Sequence, residues 1–144
     1  MKAMPPLLLL AAGRKVRARK APVIRPKESA LHCAVAKVLH EHALPTWRWS
    51  HFPSGEKRDI IAGARLKRMG LQRGWPDMIL VGPDGRFYAL ELKRQGETLT
   101  DEQEAFQLWC IGHGVPHVVA FTIDEVLTTF DQWGCLRIRI GGAT

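Results

Sequence analysis

The stretch from Gly74 to Lys93, Gly-Trp-Pro-Asp-Met-Ile-Leu-Val-Gly-Pro-Asp-Gly-Arg-Phe-Tyr-Ala-Leu-Glu-Leu-Lys, constrains the fold more than any other. Met78 to Val81 and Arg86 to Leu92 are β-prone runs, and Gly82-Pro83-Asp84-Gly85 between them is a tight-turn sequence, so the segment is predicted to be a β-hairpin. Antiparallel pairing then sets Asp77, before the first strand, against Glu91, near the end of the second. Alternation along a strand puts Glu91 and Lys93 on one face and Leu92 on the other. Two carboxylates and an ammonium converge at one end of the hairpin.

Such a convergence has a chemical use. A hard divalent cation takes oxygen ligands, and magnesium uses one or two carboxylates, leaving positions for water and substrate phosphate. An ion held there polarises a phosphodiester and lowers the pKa of a bound water from about 15.7 toward neutrality. Lys93 would orient that water or offset charge on the phosphate. The alternative is an exposed turn aspartate and a solvated Glu-Leu-Lys on an edge strand, since a lone Glu-x-Lys is a weak pattern.

Pro76-Asp77 followed by Glu91-Leu92-Lys93 resembles the Pro-Asp…(Asp/Glu)-x-Lys, or PD-(D/E)xK, nuclease superfamily. Gly70 through Lys93 and on to Gln103 resembles more narrowly its VRR-NUC branch, with the likeness running from about Glu28 to about Trp133. The resemblance implies a restriction-endonuclease-like α/β core, a small mixed sheet flanked by helices. It also implies Mg2+ or Mn2+ held by Asp77, Glu91 and the Leu92 backbone carbonyl, with Glu28 completing the site directly or through water. Lys93 and Gln103 are the remaining catalytic positions it marks.

Charge divides the chain. Eight of the 21 Lys and Arg and none of the 14 acids lie in residues 1–27, leaving 13 against 14 and a balance of −1 for 28–144. Residues 1–27 are therefore expected to be a basic, flexible arm and 28–144 a single nuclease-like domain. Residues 13–27, with seven positive charges and two prolines, could follow a polyanion backbone by counterion release, or serve only as a solubilising tail. Cys33, Cys110 and Cys135 form no Cys-x-x-Cys pair and leave an odd one out, which argues against a zinc site and a disulfide framework and points to a reducing cytoplasm. The apolar run Met4–Ala12 is far shorter than the roughly 20 residues of a membrane span and lacks a convincing signal-peptide cleavage site.

From Pro26 to about Ala43 the spacing of Leu31, Ala34, Val35, Val38 and Leu39 predicts a helix, with Glu28 on its inward stripe. An acid there also suits the helix dipole alone; by position it resembles the family's metal-holding acid. Trp47 to Phe52 alternates as a short strand ending at Pro53. His51 and Pro53 resemble the family's His-x-Pro-Asn-Gly-Gly signature, but Ser54 and Glu56 stand where Asn and Gly are usual, so His51 is left between phosphate contact, help at the metal site and a structural place. Glu56 to Met69 is a second predicted helix with Ile60, Ile61, Ala64 and Leu66 inward and Gly70 as its C-cap. Its outer Lys57, Arg58, Arg65, Lys67 and Arg68, with Arg73 after it, form a candidate nucleic-acid surface rather than a merely solvated face.

Thr100-Asp101-Glu102-Gln103 opens a third helix to about Ile111 as a capping box, which would employ Gln103 at its own helix end, whereas the resemblance places a glutamine near the active site. One amide is not expected to do both fully. Val115 to Phe121 is a buried-looking strand, Ile123 to Trp133 an amphipathic helix, and Cys135 to Ile140 a final edge strand. No glycine loop cradles a phosphate and no Ser-His-Asp logic is present, so no organic cofactor is expected. His32, His40, His42, His113 and His117 show no metal-site spacing. Altogether the sequence predicts a metal-dependent DNA endonuclease. The resemblance to free-standing VRR-NUC proteins implies a homodimer selective for branched or four-way junction DNA; linear duplex or flap DNA remains an alternative substrate, and a module that binds DNA without cutting it remains an alternative function. Other family members are parts of larger repair proteins or of phage proteins.

Overall fold

The computed structural model describes residues 28–53 and 59–139, with the backbone alone at Glu28 and Ser29. The basic arm, the side chain of Glu28, and Lys57 and Arg58 lie outside the described residues. In chain order the elements are α1 (Glu28–His42), β1 (Arg48–His51), α2 (Ile60–Arg68), β2 (Met78–Val81), β3 (Phe87–Leu92), α3 (Asp101–Gly112), β4 (His117–Ala120) and α4 (Ile123–Trp133). Among the described residues no helix is long and apolar enough to cross a membrane.

The hairpin forms as its turn chemistry requires. Gly85 has φ 79° and its N–H donates to the Gly82 carbonyl at 2.9 Å, while Asp84 accepts from the Arg86 N–H at 3.1 Å. The strand order is β1-β2-β3-β4, antiparallel across the first two pairs and parallel between β3 and β4, with α3 as the crossover that a parallel pair demands. β3 is central, and every one of its residues after Phe87 is buried.

Period-2 alternation sorts the sheet's two faces. Met78, Leu80, Tyr88, Leu90, Leu92 and Ala120 join Val35 and Leu39 of α1 and Val126 and Phe130 of α4 in one apolar core. The opposite face carries Ala89 and Glu91, and α3 packs on that side beside β4. The outcome is the mixed sheet flanked by helices that the sequence predicts.

Three expectations are corrected. Cys135–Ile140 is not an edge strand over its described part. Leaving α4, the chain meets the end of α1 instead of a sheet edge, so the Cys135 carbonyl accepts from Leu44 N–H at 2.8 Å, Arg137 N–H donates to the His42 carbonyl at 2.7 Å, and a single bridge joins Ala43 to Leu136. In α2 three of the four predicted inward residues face outward: Ile60 is 91% and Ile61 82% exposed, Ala64 is exposed as well, and the helix fully buries no residue. Their periodicity is helical, but periodicity cannot say which side meets the rest of the chain; of the four only Leu66 is half-buried as expected, and Ala62 shares that side with it. β4, which reads as buried, is an edge strand whose first three residues are only partly covered.

Candidate functional site

The site begins where the chain enters β2. Gly74 has φ +85°, and a Cβ on it would stand 2.5 Å from the backbone oxygen of Glu102, so only glycine lets this segment lie against the first turn of α3. Trp75 then stacks on Phe52 at 5.3 Å and tilts over Phe106 of α3 at 5.1 Å. Buried Pro76 follows, and Asp77 is delivered between the end of β1 and the end of β3.

Asp77 is held from both sides. Its carbonyl accepts from the Phe52 N–H at 2.8 Å and lies 3.0 Å from His51 Nδ1. A carbonyl only accepts, so Nδ1 carries the proton of that contact. The Asp77 Oδ2 accepts from the Leu92 N–H at 2.7 Å, pinning the aspartate to the neighbouring strand. Oδ1 is left facing His32 Nε2 at 3.8 Å, and the His32 and His51 rings meet edge to face at 5.4 Å.

Glu91 is 2% exposed, a burial that a carboxylate tolerates only with polar partners. Gln103 is one: its Nε2 donates to Glu91 Oε1 at 2.6 Å. The same amide's Oε1 accepts from the Thr100 N–H at 2.9 Å, and Thr100 Oγ1 accepts from the Gln103 N–H at 3.3 Å, completing the capping box. The expectation that one glutamine cannot serve both purposes is therefore wrong. An amide has a donor end and an acceptor end, and the helix cap uses only the second. The cap aims the NH2 group at Glu91.

Lys93 is half-buried, follows Glu91 on the same side of the strand by alternation, and has its backbone tied to the Ala120 carbonyl at 2.9 Å. Arg65, Lys67 and Arg68 lie in the last turn of α2 and are exposed, as is Arg73 in the loop that follows.

Asp77, Glu91 and the Leu92 carbonyl offer oxygen alone, the donor set of a hard divalent cation. Among the described residues no three His, Cys, Asp or Glu side chains gather to enclose an ion. A magnesium-type site does not need three, because water and substrate phosphate complete it. The residues present thus fit such an ion.

The structure brings together Asp77, Glu91, Leu92 and Gln103, and sets the exposed His51 against the Asp77 carbonyl. It adds His32, Gly74, Trp75 and Phe52, which the sequence reading left unused. For His32 a signal existed: it stands four residues, one helical turn, beyond Glu28.

The VRR-NUC domain family model matches residues 26–121. No curated protein sequence matches the chain. Among solved structures the chain is similar to one described as paFAN1 bound to 1nt 5′flap DNA with gap, at 30% identity and a TM-score of 0.31. That likeness covers 41% of this chain and 11% of the other, so this chain spans a small part of the relative's length.

Proposed function

The chain belongs to the VRR-NUC domain family, nuclease domains of the PD-(D/E)xK type, and on that premise we propose that it is a divalent-metal-dependent DNA endonuclease. The observation that carries the reading is the Asp77–Leu92 hydrogen bond at 2.7 Å, which locks one carboxylate beside the strand that bears Glu91, itself aimed by Gln103 at 2.6 Å. A module that only bound DNA would have no use for two preorganised carboxylates at its centre, since they repel phosphate.

In this proposal Asp77, Glu91 and the Leu92 carbonyl hold Mg2+ or Mn2+, with Glu28 as a further ligand. The ion supplies Lewis-acid polarisation of the phosphodiester. Lys93 orients the attacking water and offsets charge that develops on the phosphate. Gln103 holds Glu91 in place. Arg65, Lys67, Arg68 and Arg73, with Lys57, Arg58 and the arm of residues 1–27, contact the DNA backbone. Branched DNA, four-way junctions foremost, is the proposed substrate class, and a homodimer would present two sites for paired nicks.

The test is cleavage of labelled four-way junction, flap, linear duplex and single-stranded DNA with magnesium, manganese or EDTA. Metal-dependent cutting that disappears in Lys93→Ala and Glu91→Ala is the expected result. Binding without cutting under every metal would remove the enzyme and leave the binding module.

A further inference from the structure

Asp77 has two oxygens with different neighbours. Oδ2 is committed to the Leu92 N–H at 2.7 Å, so Oδ1 is the oxygen left for an ion, and the group facing it is an imidazole nitrogen, His32 Nε2, at 3.8 Å. That separation is too long for a hydrogen bond. It suits two donors on one ion, since ligands each about 2.1 Å from a shared ion stand roughly 3.0 to 4.2 Å apart.

The His32 side chain is 18% exposed and Asp77 13%, so both are largely withdrawn from bulk water. The His51 ring lies edge-on against His32 at 5.4 Å, and His51 is itself anchored on the Asp77 carbonyl. Asp77, His51 and His32 therefore form one braced unit, with the imidazole of α1 turned toward the free carboxylate oxygen. The helix that bears His32 is fixed by Val35 and Leu39, one and two turns on, which are fully buried in the core. An ion at Oδ1 meets a nitrogen donor.

We propose that His32 Nε2 is a ligand of the ion that Asp77 holds, which makes the site a mixed nitrogen and oxygen site selecting manganese over magnesium. The inference rests on the metal-dependent reading above and deepens it. Imidazole favours first-row transition metals, whereas carboxylate, carbonyl and water suit magnesium and manganese alike. The added nitrogen therefore supplies the discrimination, while the Asp77 carboxylate supplies affinity for either ion. Position 32 then sets which metal the protein carries.

The experiment titrates Mn2+ alone into the full chain and records its electron-spin-echo modulation, which reports directly bonded 14N, with Mn2+ and Mg2+ affinities measured by calorimetry. Wild type, His32→Gln, His51→Gln and Asp77→Asn are compared, with far-UV circular dichroism to show that each is folded. A nitrogen modulation in wild type that survives His51→Gln and vanishes in His32→Gln is expected. Alongside it, His32→Gln should lose Mn2+ affinity by about tenfold or more and keep Mg2+ affinity within about threefold. Wild-type protein that binds Mn2+ through Asp77 with no nitrogen modulation overturns the proposal whatever the variants do. So does a modulation that persists in His32→Gln, or a failure to bind Mn2+ at all. Absence of DNA cleavage by a protein that shows the His32-dependent nitrogen signal would count against the nuclease reading and leave the ligand assignment standing.

Discussion

The Gln103–Glu91 contact allows a quantitative prediction. Gln103→Ala removes a donor 2.6 Å from a carboxylate that is 2% exposed, and with it the acceptor that caps the Thr100 N–H. A hydrogen bond to a charged group contributes about 1.5–3 kcal/mol, more than a neutral one, because burial prevents water from replacing the lost partner. The cap adds a smaller amount, so the single variant should lose roughly 2–4 kcal/mol of unfolding free energy. A double-mutant cycle with Glu91→Ala separates the two parts, since the capping loss is the same whether or not Glu91 is present. The expected coupling is about 1.5–3 kcal/mol, read from urea unfolding followed by tryptophan fluorescence. Thr100→Ala, which removes the hydroxyl that accepts from the Gln103 N–H, should cost about 0.5–2 kcal/mol and show little coupling to Glu91. A Gln103–Glu91 coupling below about 0.5 kcal/mol would refute the argument that the cap aims this amide at the site.

Gly74→Ala should destabilise the chain by at least about 1–2 kcal/mol, the left-handed backbone penalty alone, and should lower metal affinity as α3 is pushed away from Glu91; unchanged urea unfolding would contradict it. His117 Nδ1 is buried without a hydrogen-bond partner among the described residues, and burial lowers the pKa of its ring below the ordinary 6.5. The unfolded chain therefore binds the proton first, so stability should be complete above about pH 6.5 and decline as pH falls toward the folded value, with the contribution absent in His117→Phe. Burial pushes the Cys135 thiol up to about 12 and raises that of Cys110, whereas Cys33 is exposed, so iodoacetamide at neutral pH should modify Cys33 alone until the protein is unfolded, as mass spectrometry of the digest would show. Ile60→Asp and Ile61→Asp should change monomer stability by less than about 0.5 kcal/mol, because neither side chain is covered by the described residues; a loss of several kcal/mol would contradict this.

Local patterns determined much of the fold in advance. The Gly82–Gly85 turn and its flanking β-runs yield the observed hairpin, and register follows from a turn that admits one pairing, which is why Asp77 and Glu91 could be matched across it. Helix α4 runs from Ile123 to Trp133 as its amphipathic spacing predicts, and the capping box at Thr100 starts α3 where a Thr-x-x-Gln should. These are interactions within a few residues or across one tight turn, where sequence separation and spatial separation coincide.

What only the tertiary structure decided involves partners far apart in the chain. No local rule shows that the surplus NH2 of a capping glutamine meets a carboxylate twelve residues earlier, or that His32 faces Asp77 across forty-five residues of chain. The outward turn of Ile60 and Ile61 and the clasp of Leu136 on Ala43 have the same origin. A period of 3.6 or 2 states that one side differs from the other, and only the packing of the other elements decides which side is inside and what it touches.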